Sequence, residues 1–374
     1  MKKISILLSL FLVWSSAILA QAPQEFYVLV GTYTSKASKG IYVYKFNTAT
    51  GELQFSSVVS GVKNPSFITL SPNQKFAYSV GETDGDGTVN AFSFDKQSGS
   101  LSFLNSESAG GAGPCHITTD RTGKWVIAGN YGGGSLSILP ILGNGTVGKA
   151  TQTIQHTGHS VNASRQEKPH VHSINVAPNN QDVFVPDLGV DKIYTYSLDT
   201  QKGLLNEGKP AYTSSIAGSG PRHFTFHPNG KWAYVIEELS ATVTAYRYQK
   251  GGLKATQTIS TLPADYTGKK WCADIHISPD GKFLYASNRS HESITVYAIN
   301  TKTGQLTWVD NTNVAGKTPR NFAIDPTGNY ILVANQDSDN ITIFKRDKAT
   351  GKFTYTGTSV EVSMPVCLQW ANVK

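Results

Sequence analysis

Residues 220–239, GPRHFTFHPNGKWAYVIEEL, contain two runs of alternating apolar residues separated by a Pro-Asn-Gly-Lys turn. Alternation on both sides of a short turn predicts an antiparallel hairpin. The same pattern recurs at five other places. These are Pro65–Glu82, Pro114–Tyr131, Pro169–Leu188, Cys272–Arg289 and Pro319–Gln336. A seventh start, PVCLQWANVK from Pro365, ends before its turn.

The seven starts lie 46 to 55 residues apart, and each unit continues into two further β-like runs. A period of about fifty residues with several strands per unit predicts a β-propeller. The N-terminus supplies the strands that the seventh unit lacks, in FYVLVGTY from Phe26, GIYVYKF from Gly40 and LQFSSVV from Leu53. We therefore predict an all-β, seven-bladed propeller whose last blade combines the C-terminal strand with three N-terminal strands. That closure removes the open sheet edge, and residues 365–371 should pair with 26–32. Two packed β-sandwiches are the alternative.

Composition excludes several classes of protein. Of the 374 residues, 39% are hydrophobic and only 16% are charged, unlike a coiled coil or a charge-rich disordered chain. Lys and Arg number 33 against 26 Asp and Glu, but they form no basic run. A nucleic-acid partner would favour clustered basic residues, so none is predicted. The mild positive balance suits a small anionic ligand.

The N-terminal segment has the pattern of an export signal. Two lysines precede an apolar run from Ile4 to Trp14, and small residues lead to Ala20. The run is shorter than the roughly 20 residues that a membrane span needs. We predict a signal peptide over residues 1–20 and one propeller domain over 21–374. The mature protein would be periplasmic or secreted, with no membrane association after cleavage.

The three cysteines, Cys115, Cys272 and Cys367, are an odd number in an oxidising compartment and are widely spaced. They predict buried free thiols rather than a disulfide framework. His170 and His172 lie two apart on one face of a strand, and Asp187 could join them, but no third convincing ligand follows. The sequence therefore predicts no metal site and no cofactor.

The repeat also locates a candidate site, because the start of the first strand and the end of the second strand of each hairpin lie at the same end. Six residues before the turn proline, or before Arg121 in its place, stand Ser66, Cys115, His172, Arg222, Ala273 and Arg320. Ten residues after it stand Glu82, Tyr131, Leu188, Glu238, Arg289 and Gln336. In the closing blade we assign Thr32 to this second position. In the third blade, a shift of the strand register by one residue would bring Asp187 or Gly189 to the place of Leu188. His170, His223 and His276 are expected near the same end.

Charged residues around an otherwise apolar channel are costly unless they are paired or used. They therefore mark one mouth of the ring as the candidate site. Ion pairs between blades, such as Glu238 with Arg222 or Arg289, are the structural alternative. By contrast, an aromatic residue lies four positions past five of the turns and is assigned to the core; these are Phe76, Trp125, Trp232, Phe283 and Tyr330.

Four stretches together resemble a known family: Pro169–Ser173, Gly220–Leu239, Ala273–Arg289 and Thr318–Tyr330. They are similar to the lactonase family of seven-bladed β-propellers, which is typified by bacterial propeller-type 6-phosphogluconolactonase and has carboxy-muconate lactonizing enzyme as a relative. The resemblance implies a site of one histidine, one glutamate and two arginines at the central mouth. Matched motif by motif, these are His172, Glu238, Arg222 and Arg289, with Arg320 as the other candidate for the second arginine.

The resemblance implies a metal-independent hydrolase that opens a sugar lactone. The lactone is 6-phosphogluconolactone or, because an export signal does not fit a cytosolic intermediate, a different exported aldonolactone. His172 or Glu238 would activate water, while Arg222 and Arg289 would hold the anionic substrate and stabilise the oxyanion. Further substrate-binding candidates are Arg320, His276, His170, His223, Glu82 and Gln336. We expect a monomer or weak dimer.

Three points stay open at this stage. Glu237 could exchange roles with its neighbour Glu238 or point into the blade. A lactonizing cycloisomerase would use the same groups in reverse. An exported propeller that binds a carbohydrate or a protein without catalysis is the non-enzymatic alternative.

Overall fold

The computed structural model describes residues 25–249 and 251–373, so the predicted signal peptide lies outside the described residues. The strands, in chain order, are β1 Glu25–Thr32, β2 Gly40–Asn47, β3 Glu52–Ser60, β4 Ile68–Leu70, β5 Phe76–Gly81, β6 Asp86–Asp95, β7 Ser100–Ala112, β8 Pro114–Thr119, β9 Trp125–Asn130, β10 Ser135–Pro140, β11 Gln152–Gln155, β12 Asn175–Val176, β13 Asp182–Asp187, β14 Lys192–Asp199, β15 Leu204–Ser214, β16 Pro221–Phe226, β17 Trp232–Glu237, β18 Thr242–Gln249, β19 Gly252–Ser260, β20 Cys272–Ile277, β21 Phe283–Asn288, β22 Ser293–Ile299, β23 Leu306–Asn313, β24 Pro319–Ile324, β25 Tyr330–Asn335, β26 Asn340–Arg346, β27 Phe353–Glu361 and β28 Pro365–Asn372. A 3-10 turn, Leu188–Val190, follows β13. Within the described ranges, no helix is long and apolar enough to cross a membrane.

The strands form seven four-stranded antiparallel sheets, which confirms the predicted seven-bladed propeller. Blades 1 to 6 are β4–β7, β8–β11, β12–β15, β16–β19, β20–β23 and β24–β27, each running from the inner strand outward. Blade 7 has the order β28-β1-β2-β3, so the C-terminal strand is innermost, as predicted. Its register pairs Phe26 with Asn372 and Thr32 with Pro365, which closes the ring through backbone hydrogen bonds.

The core lies between neighbouring blades and depends on the aromatic residue four positions past the turn, which is present in five of the six hairpins. Trp232 in blade 4 is buried and donates a hydrogen bond from Nε1 to the carbonyl oxygen of Thr301 in blade 5, over 3.2 Å. Gly304 packs under this indole with a φ of 72°, and a Cβ there would lie 2.4 Å from the ring. Phe283 in blade 5 has the same relation to Gly351 in blade 6. A positive-φ glycine is therefore needed where the ring of one blade contacts the turn of the next.

Backbone irregularities at the start of the inner strands shape the central channel. The register shifts between Pro114 and His116, between Pro221 and His223, between Cys272 and Ile275, and between Pro319 and Asn321. Such a bulge lets two consecutive side chains face the same side of a strand. Each of these blades therefore directs two consecutive residues into the channel. The first of the two side chains belongs to a circle of side chains at the mouth, called the first ring. The second belongs to another circle directly beneath the first, called the second ring, which closes the channel.

Candidate active site

The channel opens at this mouth into a cavity of about 230 Å³, here called the mouth cavity. It narrows to a deep space of about 10 Å³. The predicted site residues in the walls of the two are Glu82, His172, Arg222, His223, Glu238, Arg289 and Arg320. Seven of the ten predicted residues therefore lie together, six of them placed by counting from the turn and His223 by its nearness to the same end.

Glu238 is the electrostatic centre of the mouth cavity. It follows β17, and its backbone N–H donates to Gly220 over 2.7 Å, which turns the side chain inward. Oε2 accepts hydrogen bonds from Arg222 Nε at 3.0 Å and Arg289 Nη2 at 2.5 Å. Oε1 accepts from Arg165 Nη2 at 2.5 Å. Burial alone would raise the pKa of Glu238, but the three guanidinium groups outweigh it and hold that pKa well below its usual range.

The two buried arginines are fixed by backbone carbonyls as well as by Glu238. Arg222 donates from Nη1 to Ala273 over 2.6 Å, and Arg289 donates from Nη2 to Cys272 over 2.7 Å. The guanidinium of Arg289 also lies 4.0 Å above the ring of Trp271. Burial lowers the pKa of Arg289 to about 9, which still leaves the group charged at neutral pH. The pair is therefore a rigid cationic surface, suited to stabilise negative charge on a bound oxygen.

His172 lies beside this cluster without a strong hydrogen bond from its ring. Nε2 is 3.9 Å from Glu238 Oε2, and Nδ1 is 3.8 Å from Cys115 Sγ. Burial, together with the charge of Arg222 and the ring of His223, holds the pKa of His172 well below its usual value. A neutral imidazole has a free lone pair, so His172 can accept a proton from water at neutral pH.

Arg320 and Glu82 line both the mouth cavity and the deep space, and Tyr33 lies beside them in the wall of the deep space. Arg320 lies 5.4 Å from the centre of the Tyr33 ring, and the Tyr33 hydroxyl donates to Glu82 over 3.2 Å. Burial raises the pKa of Glu82 against the attraction of Arg320. Arg320 has no hydrogen-bond partner among residues 25–249 and 251–373. Its donors are therefore available to an anionic ligand.

Three predicted residues lie elsewhere. His276 is three residues beyond Ala273 along the inner strand, which at about 3.3 Å per residue places it near the far end of the channel. It lines a separate cavity of about 120 Å³ there and binds Asp274, so its expected position at the mouth was wrong. Gln336 donates to Asp337 over 3.1 Å and lines neither space. His170 stacks on Tyr131, with ring centres 4.3 Å apart, and lies behind the cavity wall.

Tyr33 and Arg165 are among the wall residues that sequence analysis missed. In blade 7 the position equivalent to Glu238 in blade 4 is occupied by Tyr33 and not by Thr32. The backbone shows this, since the N–H of Tyr33 donates to the carbonyl oxygen of Met364 just as the N–H of Glu238 donates to that of Gly220. Thr32 is buried and donates to Gly40 instead. Arg165 comes from the loop between β11 and β12. The one signal for it was the interval of 55 residues between the starts at 114 and 169, the longest in the chain.

Glu237 and Leu188 do not reach the site. Glu237 is buried in blade 4, where its Oε2 accepts a hydrogen bond from Thr242 over 2.6 Å. Leu188 is buried in the 3-10 turn, so the possible slip in blade 3 does not bring its neighbours into the cavity. Within the described part of the chain, no cluster of three His, Cys, Asp or Glu side chains could hold a metal ion. The three cysteines there are buried and free.

Comparison with known proteins gives a consistent picture. A family model described as lactonase, 7-bladed beta-propeller, matches residues 27–370. A 6-phosphogluconolactonase of Bacillus subtilis is 37% identical over 295 residues, covering 78% of this chain and 83% of the relative. A 6-phosphogluconolactonase of Formosa agariphila is 41% identical over 304 residues, covering 79% and 86%. The solved structure of the periplasmic gluconolactonase of Pseudomonas aeruginosa is 33% identical, with a TM-score of 0.89, and the match covers 94% of this chain and 100% of that one.

Proposed function

The chain belongs to the lactonase family of seven-bladed β-propellers, and we propose that it hydrolyses a small anionic sugar lactone, without a metal ion, in the mouth cavity. The observation that carries the proposal is that buried cationic groups and a neutral imidazole lie close together in the walls of the mouth cavity and the deep space. An ionised Glu238 holds two buried guanidinium groups in place, and the neutral imidazole of His172 lies beside them. Ester hydrolysis is accelerated by groups that stabilise the oxyanion and by a base that activates water, and this site offers both.

The two candidates for the base, the carboxylate of Glu238 and the imidazole of His172, differ in their surroundings. Both carboxylate oxygens of Glu238 already accept from guanidinium groups, whereas the ring of His172 makes no strong hydrogen bond and is free to accept one from a water molecule. The role of Glu238 is to position the guanidinium groups. His172 is uncharged, and Glu238 lies near enough to stabilise the imidazolium that forms when His172 takes a proton. We therefore assign the base to His172.

The reaction follows from this assignment. The lactone carbonyl oxygen faces Arg222 and Arg289, and a water molecule attacks the carbonyl carbon as His172 takes one of its protons. The negative charge of the tetrahedral intermediate lies against the two guanidinium groups. When the ring C–O bond breaks, the imidazolium of His172 returns the proton to the leaving alkoxide. The product is an open-chain hydroxy acid, which ionises on release.

Charge favours an anionic substrate. Four arginines, Arg165, Arg222, Arg289 and Arg320, surround the two spaces, against the two carboxyl groups of Glu82 and Glu238. Burial moves Glu82 toward its neutral form, which increases the positive excess. Arg320, whose side chain has no hydrogen-bond partner within the described ranges, is the anchor for a phosphate or carboxylate on the sugar.

An exported location is part of the proposal. It rests on the signal-peptide pattern of residues 1–20 and on the likeness to a gluconolactonase described as periplasmic. An aldonolactone outside the cytoplasm is then a substrate candidate alongside 6-phosphogluconolactone.

The test is a proton-release assay at constant pH with gluconolactone and with its 6-phosphate, after subtraction of spontaneous hydrolysis. We expect turnover that persists after incubation with EDTA, and faster turnover of the phosphorylated lactone. Loss of activity in EDTA with recovery on adding calcium or zinc would contradict the metal-free mechanism. Lactone formation from a muconate without sugar-lactone opening would favour the cycloisomerase. Binding without turnover would favour a carbohydrate-binding module.

A further inference from the structure

A buried carboxylate lies directly beneath the site and has no role in the mechanism above. Asp274 is in the second ring of the channel, one residue past the mouth position of blade 5. It accepts hydrogen bonds from His223 Nδ1 at 2.7 Å, His276 Nε2 at 2.8 Å, Asn321 Nδ2 at 2.5 Å and the N–H groups of Ile275 at 2.9 Å and Phe322 at 3.3 Å. With both oxygens occupied, Asp274 acts on its neighbours rather than on a ligand.

The neighbour that faces the site is His223. Because Nδ1 of His223 donates to Asp274, the proton of this imidazole lies on Nδ1 and its Nε2 presents a lone pair. No residue in the described ranges donates to that nitrogen. The side chain is more than nine-tenths buried and lines the deep space together with His172. The two rings stand at 75° to one another with centres 5.3 Å apart.

The deep space has the size and polarity for one water molecule. Its volume of about 10 Å³ matches the smallest cavity that holds a water, and Ser66, Glu82 and the two imidazoles supply polar partners. It shares His172, Glu82 and Arg320 with the mouth cavity, so a water there adjoins the bound lactone.

We propose that His223 is a further catalytic residue, which holds the hydrolytic water together with His172, and that Asp274 is the positioning residue that fixes its tautomer. The water donates one hydrogen to each imidazole, and its lone pair then points toward the lactone. His172 takes its proton as the C–O bond forms, whereas His223 stays neutral and only orients the water. This inference rests on the proposed function. Burial, with the charge of Arg222, lowers the pKa of His223 to about 4, so the acceptor is free at neutral pH.

The competing explanation is that His223 only helps to close the channel. The ring of His116 packs on Phe67 with centres 4.3 Å apart, and both rings contact His223 edge-on. A plug of this kind would contribute to stability and would leave the turnover of folded molecules unchanged. His227 is a suitable control, because it is a buried histidine of the same blade with two hydrogen bonds and no contact with the site.

The experiment compares kcat, KM and melting temperature for His223→Gln, Asp274→Asn, His172→Gln, the double variant His172→Gln/His223→Gln and His227→Gln. We expect kcat for His223→Gln to fall by about 10²-fold with KM changed less than threefold. Asp274→Asn should show the same selective loss of kcat. Because both imidazoles hold one water, the double variant should lose little more than the worse single variant. His227→Gln should lower only the melting temperature.

Three results would overturn the inference while leaving the lactonase proposal intact. They are an unchanged kcat per folded His223→Gln molecule, losses that multiply in the double variant, and a wild-type ¹⁵N NMR spectrum that places the His223 proton on Nε2. The NMR measurement needs no variant and so does not depend on variant folding. If the wild-type protein opens no lactone, the proposed function itself is wrong, and this role of His223 fails with it.

Discussion

Glu238→Gln should damage both stability and turnover, although the two side chains have nearly the same shape. The carboxylate of Glu238 is the shared partner of three guanidinium groups, and two of these, on Arg222 and Arg289, are almost completely buried. A neutral amide keeps the packing but leaves their charges uncompensated. The backbone carbonyls of Ala273 and Cys272 still accept from them, but these groups carry no full negative charge.

The size of the effect follows from the burial. Removing one partner of a buried ion pair costs about 3–5 kcal/mol. With an unfolding entropy of about 2.1 cal/mol/K per residue over roughly 350 residues, each 1 kcal/mol lowers Tm by about 1.4 °C. We therefore expect a decrease of about 4–7 °C in Tm. Turnover should fall by about 10²–10³-fold, because the oxyanion site loses its geometry and the imidazolium of His172 loses its counter-ion.

Glu237→Gln is the matched control, since it makes the same substitution one residue earlier in the chain. Burial raises the pKa of Glu237, and its Oε2 accepts a hydrogen bond from the hydroxyl of Thr242. Among the described residues Glu237 forms no ion pair, so its substitution leaves no cation uncompensated there. Its Tm should change by less than about 1.5 °C, in line with a loss below 1 kcal/mol, and lactone turnover should be unchanged. Calorimetry and the proton-release assay measure both variants. Equal Tm values for Glu238→Gln and Glu237→Gln would refute the ion-pair argument, and full activity of Glu238→Gln would refute its place in the site.

Phe283→Ala removes an aromatic ring between blades 5 and 6 and should cost roughly 3–5 kcal/mol in denaturant unfolding, while the folded fraction retains its lactone turnover; loss of turnover in folded molecules would contradict this. Thiol titration should count three thiols in the unfolded, unreduced protein and almost none in the native protein, because the cysteines are buried and burial raises their pKa values; a count of one after unfolding would show a disulfide. Burial lowers the pKa values of His116, His172 and His223, so the unfolded chain binds more protons than the fold below about pH 6.5 and stability falls as the pH is lowered. Each of these three groups contributes about 1 kcal/mol between pH 6.5 and pH 5.5, and the raised pKa of His276 opposes them, so the free energy of unfolding should be about 2 kcal/mol smaller at pH 5.5 than at pH 6.5; an equal or larger value would contradict the burial argument.

The ring could be predicted because its signals are local. The two-residue alternation and the turn residues recur at a constant period, and each repeat specifies the same hairpin without knowledge of the others. The pairing of β1 with β28 followed from the one incomplete repeat at each end of the chain. The mouth position of blade 7 was misassigned to Thr32 instead of Tyr33, because that blade has no turn proline from which to count.

The errors in the candidate site have different causes. His276 was placed at the mouth because it is close in sequence to Ala273. An inner strand runs along the channel, however, so only a few residues of that strand take the chain from the mouth to the far end of the channel. Gln336 occupies the predicted backbone position, yet its side chain turns to Asp337, a choice that the repeat does not encode. Arg165 lies in a loop that belongs to no repeat, so only the long interval between two starts marked its presence.

The sequence by itself determined the seven hairpins, the closure of the ring and the backbone positions that meet at one mouth, because each depends on local periodicity and hydrogen-bond register. The sequence also predicted that four site residues lie at that mouth, namely His172, Arg222, Glu238 and Arg289. Only the tertiary structure decided what these groups do to one another. Three arginines from two blades and a loop share Glu238, two imidazoles are neutral, and Asp274 accepts a hydrogen bond from His223. Each of these features depends on distances between chain segments that are far apart in sequence. Burial and electrostatic attraction act through those distances, and no repeat pattern contains them.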